Sequence, residues 1–185
     1  MEMEIDKELT TPPIDLSKKV GNGDFNTIGQ EFKRYFIELA RLQPSATVLD
    51  VGCGAGRMAI PLSDYLTSGR YFGIDIIEPS IEWCQTKITP TYNNFTFQHS
   101  NIFNRFYNPN GTILAKDYVF PFEDDSFDFI FLTSVFTHML PEDVEHYLSE
   151  ISRILKKNGV CFITYFLLNN ESIELINQGA SIQNQ

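Results

Sequence analysis

The 185-residue sequence, 43% hydrophobic, is long enough for one domain with a continuous buried core. Its 24 acidic against 14 basic side chains give a formal net charge of -10, which repels a phosphate backbone, so nucleic acid is not an expected partner. The acidic, proline-containing N-terminus lacks the blocks of a secretion signal, no apolar run reaches membrane-spanning length, and three cysteines without C-x-x-C spacing fit a reducing compartment; the expectation is a cytoplasmic protein with no membrane partner.

Residues 1–24 read as a poorly ordered head. Residues 25–42 carry Phe32, Tyr35, Phe36, Leu39 and Leu42 at helical spacing, ended by Pro44, and read as a lid or flanking helix. A β-branched run at 47–51 meets a cluster of glycines, after which helical periodicity resumes over 57–66 through Met58, Leu62 and Tyr65; Pro61 is tolerable early in that helix. Residues 71–76 read as a strand, 80–87 as a short helix and 95–98 as a third strand. Residues 103–121 then break the alternation with Asn108-Pro109, Asn110-Gly111 and Pro121, a loop long enough to imply that it serves a site.

The nearly all-apolar run 127–132 suits a central strand of a parallel sheet. A helix begins at Pro141, with Glu142 and Asp143 at its positive end and a buried stripe of Val144, Tyr147, Leu148, Ile151 and Leu155; Lys156, Lys157 and Gly159 are expected to close it. A fifth strand follows at 160–167, then a tail, 169–185, with one weak helical stretch near 171–176. The fold class is α/β: a Rossmann-like, doubly wound, mainly parallel sheet over 25–168 with helices on both faces, binding ligands beyond the carboxyl ends of its strands.

Gly52, Gly54 and Gly56 let the first strand turn sharply into its helix and bring bare backbone, with N–H donors, toward a ligand. The spacing fits a dinucleotide G-x-G-x-x-G poorly, because Arg57 follows the third glycine. Asp50 beside the loop repels a pyrophosphate and attracts the ammonium of an amino acid, and Asp75, at the end of the second strand, stands where a carboxylate accepts from both ribose hydroxyls. No metal is expected.

VLDVGCGAGR (48–57), YFGIDI (71–76), FPFEDDSFDFIFLTSVFTHM (120–139) and ISRILKKNGVCFI (151–163) together resemble the class I S-adenosylmethionine-dependent methyltransferases over roughly residues 30–167. The resemblance implies that Asp50 and the loop, with Cys53 contributing backbone only, lie near the methionine moiety of S-adenosyl-L-methionine. It implies Asp75 on the ribose, Ile76 against adenine, Asn101 accepting from the adenine amino group in place of the usual acid, and Ile102 packing on the ring. Thr133 and Ser134 would lie beside the methionine chain and face the acceptor.

In-line methyl transfer asks mainly for alignment and, where needed, proton removal. His138 is the candidate general base, weighed against a role in orienting the next helix, and Tyr107 is the candidate acceptor contact, weighed against anchoring its own loop. Trp83 and Cys84 read as core, Glu123, Asp124 and Asp125 as a solvated turn, and His99 and His146 receive no role. The expected product is S-adenosyl-L-homocysteine. A small-molecule acceptor is favoured, since no Asp/Asn-Pro-Pro-Tyr-like tetrapeptide follows the fourth strand. The alternatives are a cofactor-binding module without turnover and, behind it, an NAD-dependent oxidoreductase. Class I members usually add a sixth and seventh strand. With few residues after Leu167, the expectation is a truncated sheet whose edge at Tyr165-Phe166-Leu167-Leu168 invites a homodimer.

Overall fold

A computed structural model describes residues 11–18, 23–165 and 168–180. Five strands, β1 (Thr47–Val51), β2 (Arg70–Asp75), β3 (Phe95–His99), β4 (Phe127–Leu132) and β5 (Leu155–Ile163), form one parallel sheet in the order β3-β2-β1-β4-β5. The order reverses between β1 and β4, which opens a crevice at their carboxyl ends. The helices are α1 (Ile14–Ser17), α2 (Phe25–Glu38), α3 (Ala59–Leu62), α4 (Glu78–Lys87), α5 (Pro141–Ile154) and α6 (Asn170–Asn177). Among the described residues, no helix is long and apolar enough to cross a membrane.

Strand alternation sends side chains to two cores. Val48, Tyr71, Phe95, Phe97, Phe129 and Phe131 pack with Phe36 of α2, Leu62 of α3 and Ile81, Trp83 and Cys84 of α4. Leu49, Val51, Ile74, Ile130 and Leu132 pack on the other face with Tyr147, Ile151 and Ile154 of α5. No α-helix joins β3 to β4. The connecting segment itself covers the second face, with Tyr118 and Phe120 buried among the α5 side chains. Glu150 of α5 ties it down by accepting from the Phe120 amide at 2.8 Å, and Arg153 donates to the Phe120 and Phe122 carbonyls and to Asp124. The long segment is therefore part of the scaffold as well as of any site.

The chain departs from its periodicity in several places. Only Ala59–Leu62 of the expected 57–66 helix is α-helical, with turns on either side; Pro61 has no N–H to bond the Arg57 carbonyl, which accounts for the late start. Leu39 and Leu148 are exposed rather than in the buried stripes, and Glu150 takes a buried place instead. Lys156, Lys157 and Gly159 do not cap α5: the helix stops at Ile154, and the pairing jumps from Phe127↔Leu155 to Phe129↔Val160, so these residues bulge out of the strand, with Asn158 at φ 70°. In the expected disordered head, residues 1–10 and 19–22 lie outside the described residues, whereas α1 is a single helical turn from which Leu16 packs against the core.

Among the described residues, strand β5 pairs only with β4, and it contains no buried residue, as an edge does. Of the expected edge, Phe166 and Leu167 lie outside the described residues, while Tyr165 and Leu168 are exposed. Helix α6 has Asn169 as its N-cap and no buried residue.

Candidate active site

A cavity of about 570 Å³ opens at the carboxyl ends of β1, β2 and β4, within the range of cofactor sites. Asp50, Gly52, Cys53, Gly54, Asp75, Ile76, Ile102, Tyr107, Thr133, Ser134 and His138 all line it. The two remaining residues expected at the cofactor do not. Asn101 is exposed and its side-chain amide donates to Thr112 Oγ1 at 2.9 Å, whereas its neighbours Ser100 and Ile102 are buried in the wall. The Ile102 amide bonds the Ser100 carbonyl at 2.7 Å, a tight turn centred on Asn101, whose side chain is exposed while Ser100 and Ile102 line the cavity. Gly56, at φ 81°, lies against α4, where an added Cβ would come within 2.6 Å of Ile88 Cδ1; its role is to seat the loop on the helix.

The glycine loop differs from the expected cradle of free donors. The amides of Gly52 and Cys53 both donate to the Ile74 carbonyl, that of Gly54 to Asp75 and that of Gly56 to the Cys53 carbonyl. These donors are spent inside the protein, and the one-turn α3 adds no substantial helix end, so the loop offers shape rather than a phosphate nest. Gly52, at φ 84°, passes close beneath Val135: a Cβ there would stand 2.5 Å from Val135 Cγ2.

Asp75 accepts from the Gly54 amide on Oδ2 and the Ile77 amide on Oδ1, both at 2.7 Å. A carboxylate offers about four lone-pair directions, so two remain for a vicinal diol. Burial pushes its pKa above the usual carboxylate range, with those amides opposing the shift. Asp50 is 1% exposed; Tyr71 donates to its Oδ2 at 2.5 Å, and Oδ1 has no partner. Burial pushes the Asp50 carboxyl up to about 8; the Tyr71 hydrogen bond pulls it back, the negative Asp75 adds to the rise and Arg57 opposes it. Cys53 is buried and its thiol is raised well above the ordinary range, chiefly by burial, which leaves it inert.

Arg57 was missed by sequence reasoning, which took it only as the residue that spoils a dinucleotide motif. Its Nε is buried without a partner and the residue lines the cavity, so a guanidinium and the Asp50 carboxyl stand in one wall, each with an unsatisfied atom. Helix α2 holds this corner: at Gly29 an added Cβ would stand 2.3 Å from the Arg57 carbonyl oxygen. Asp143 and Tyr147 of α5 also line the cavity, although their pattern read as helix start and buried stripe.

Beyond β4, Ser134 has φ 58° and its amide donates to Thr164 Oγ1 at 2.8 Å, a strained corner fixed by the residue that follows β5. A 3₁₀ turn, Phe136–His138, then brings His138 edge-on to Tyr107, with ring centroids 5.3 Å apart at 72°. His99 and His146 stay outside the wall and contact the Ile76 and Tyr118 carbonyls.

A parallel sheet with a crevice at the β1/β4 reversal, two buried acids in its wall and a glycine turn whose Gly52, Cys53, Gly54 and Gly56 amides are already bonded define a Rossmann-like domain. Residues 49–163 match the model of the methyltransferase domain family, and the chain belongs to that family, with the class I Rossmann-like fold. Protein-lysine N-methyltransferase EFM4 of Saccharomyces cerevisiae is 29% identical over 126 residues, 67% of this chain and 52% of that protein. The tRNA N(3)-cytidine methyltransferase METTL2 of Gallus gallus is 24% identical over 144 residues, 72% of this chain and 34% of that protein. The chain thus spans about half or less of the length of these relatives. The solved structure of PKMT2 from Rickettsia typhi in complex with AdoHcy shares the fold at a TM-score of 0.57 and 21% identity, covering 75% of this chain and 24% of that one.

Proposed function

We propose that the chain binds S-adenosyl-L-methionine in this cavity and directs its methyl group to an acceptor, leaving S-adenosyl-L-homocysteine. The observation that carries the reading is Asp50 Oδ1, a buried, unpartnered carboxylate oxygen in the cavity wall, with the unpartnered Arg57 Nε in the same wall. An amino-acid zwitterion satisfies both, while a pyrophosphate meets two acids and spent amides, which disfavours the nicotinamide alternative.

In this reading Asp50 takes the ammonium, Arg57 the carboxylate and Asp75 the ribose diol. Ile76 and Ile102 pack on adenine, with Ser100 in the position expected of Asn101. Gly52, Gly54 and Cys53 shape the floor, and Thr133 and Ser134 border the methyl end. When bound, the donor supplies a methyl group on positive sulfur; the acceptor's lone pair bonds that carbon as the carbon–sulfur pair returns to sulfur. His138 takes the proton an acceptor sheds, and Tyr107 holds the acceptor. The functional unit is residues 25–168.

We favour a small-molecule acceptor: the net charge of -10 opposes a polyanion. The free thiols Cys53, Cys84 and Cys161 are consistent with a cytoplasmic location. The open edge of β5 is proposed to pair with a second copy; sedimentation as a monomer at all concentrations would count against this.

Calorimetric titration tests the main reading: micromolar-range affinity for S-adenosylhomocysteine and none for NAD is expected, and the reverse overturns it. A methyl-transfer screen against metabolite pools, protein extract and tRNA then separates the small acceptor from the macromolecular ones, and binding without any turnover supports the non-catalytic alternative.

A further inference from the structure

We infer that the mouth of the cavity is built to take a cationic amine, held by Asp143 and by the ring pair Tyr107 and His138. The inference rests on the adenosylmethionine reading and names the acceptor's chemical class.

Charge matching is the first argument. The cavity wall carries three carboxylates, Asp50, Asp75 and Asp143, against the guanidinium of Arg57 and the imidazole of His138. Asp75 already accepts two amides and has room for a diol, while Asp50 and Arg57 complement the two ends of an amino acid. Asp143 is left over. Its Oδ2 accepts from the Leu140 amide at 3.2 Å, and it has no ion-pair partner among the described residues. An alcohol gives this carboxylate no counter-charge and an acid is repelled by it; an ammonium satisfies it.

The second argument is the way Tyr107 is presented. Residues 104–108 form a closed turn in which Asn104 and Asn108 exchange backbone hydrogen bonds, both at 3.0 Å. Asn104 Oδ1 accepts from the amides of Phe106 and Tyr107, and Asn108 Nδ2 donates to the Ile102 carbonyl. Burial does not hold this turn, since Phe106 at its tip is 82% exposed. Polar bonds hold it, and what they fix is a phenol ring set edge-on to His138 across the cavity mouth. Asp143 and Tyr147 reach the same cavity from one face of α5, four residues apart. Aromatic rings and a carboxylate lining one cavity are a general recognition device for organic cations.

An ammonium has no lone pair, so it sheds one proton through His138 to water before its nitrogen pair forms the bond to the methyl carbon and the carbon–sulfur pair returns to sulfur. The balance is one N-methylated ammonium, one thioether and one released proton.

The test is calorimetry on the protein saturated with S-adenosylhomocysteine, using ethylammonium and butylammonium against ethanol and butanol. The amines are expected to bind at least about tenfold more tightly than their alcohols. Asp143→Asn, which keeps an acceptor for the Leu140 amide, is expected to erase that preference while leaving S-adenosylhomocysteine affinity within about twofold. Tyr107→Ala, away from the helix start, is expected to weaken the amines about threefold to tenfold. Equal binding of amines and alcohols, or a preference surviving in Asp143→Asn, overturns the inference. Failure of the first titration, with S-adenosylhomocysteine alone, overturns the cofactor reading itself and is seen before any amine is added.

Discussion

Asp50 and Asp75, at the inner end of the cavity, are 1% and 8% exposed and stand on adjacent parallel strands, whereas Tyr107, at its mouth, is 38% exposed and hangs on a turn between β3 and β4. Strand register fixes the inner pair: Asp50 lies opposite Gly73 on β2, two residues before Asp75, so both side chains leave one face near the same end of the sheet, whatever path the loops take. The outer residues come from a turn, a 3₁₀ segment and the first turn of α5, each positioned by its own local bonds. The inner half is thus suited to one invariable ligand, and the outer half can be reshaped without disturbing the sheet.

Ranked by effect on S-adenosylhomocysteine affinity, the sharpest break is Asp75→Ala. Loss of two charge-assisted bonds, about 1.5–3 kcal/mol each, predicts a fall of at least about a hundredfold in calorimetry. The melting temperature is expected to move much less: the orphaned Gly54 and Ile77 amides destabilise the fold, but removing a carboxylate whose pKa is raised by burial offsets part of that.

Asp50→Asn comes next, with an expected loss of about 10- to 100-fold at pH 8. Its signature is the pH dependence. The Asp50 carboxyl is raised to about 8, so in the empty site it is protonated at neutrality and must ionise to meet an ammonium. Affinity is therefore expected to rise from about pH 6 to about pH 8 with proton release, read as a dependence of the binding enthalpy on buffer ionisation. Stability of the empty protein runs the other way. A folded pKa above the unfolded one gives stability that is full below the unfolded value, about 3.9, and is lost as pH rises through about 8. Asn at position 50 flattens both profiles; a pH-independent affinity in the original chain would remove Asp50 from the ammonium.

This contrast also explains what the sequence disclosed. The inner site was legible because glycines, an acid and a strand end lie within one short stretch, and the second acid ends the next strand. Asn101, expected at the cofactor, is exposed while Ser100 and Ile102 line the cavity; the tight turn that sets this, closed by the Ile102 amide on the Ser100 carbonyl, is marked by no glycine or proline in the sequence. The bulge at 156–159 was hidden because Lys156, Lys157 and Gly159 are also what a helix end uses, and only pairing with β4 decides between them. Arg57, Asp143 and Tyr147 were not assignable because their partner is a volume assembled from residues far apart in the chain. A 3.6-residue period puts Tyr147 on a buried face of α5 but does not say that part of that face borders a cavity.

Gly29→Ala probes the seam between the two descriptions, since Gly29 touches no ligand-facing atom yet fixes the backbone of Arg57. A methyl group 2.3 Å from the Arg57 carbonyl oxygen forces α2 away from the loop. Overpacking of this kind costs about 1–3 kcal/mol, an expected drop of several degrees in melting temperature. Affinity for S-adenosylhomocysteine is expected to fall about threefold to tenfold as the guanidinium shifts, while 5′-methylthioadenosine, which has no carboxylate to place, is bound unchanged. An equal loss for both ligands would show that α2 supports the whole cavity and not the Arg57 corner.

The smallest effect on affinity belongs to His138→Ala. The imidazole is exposed, lies at the mouth and has Tyr107 as its ring neighbour, so its removal is expected to change S-adenosylhomocysteine affinity by less than about twofold. Turnover with an accepted amine is expected to fall about a hundredfold, the order typical of losing a positioned base, and added imidazole is expected to restore part of it. A histidine that merely packed against Tyr107 would behave differently: its loss would raise KM for the acceptor and leave kcat in place. The split between kcat and KM in this one variant therefore decides whether the outer half of the cavity moves a proton or only shapes the entrance.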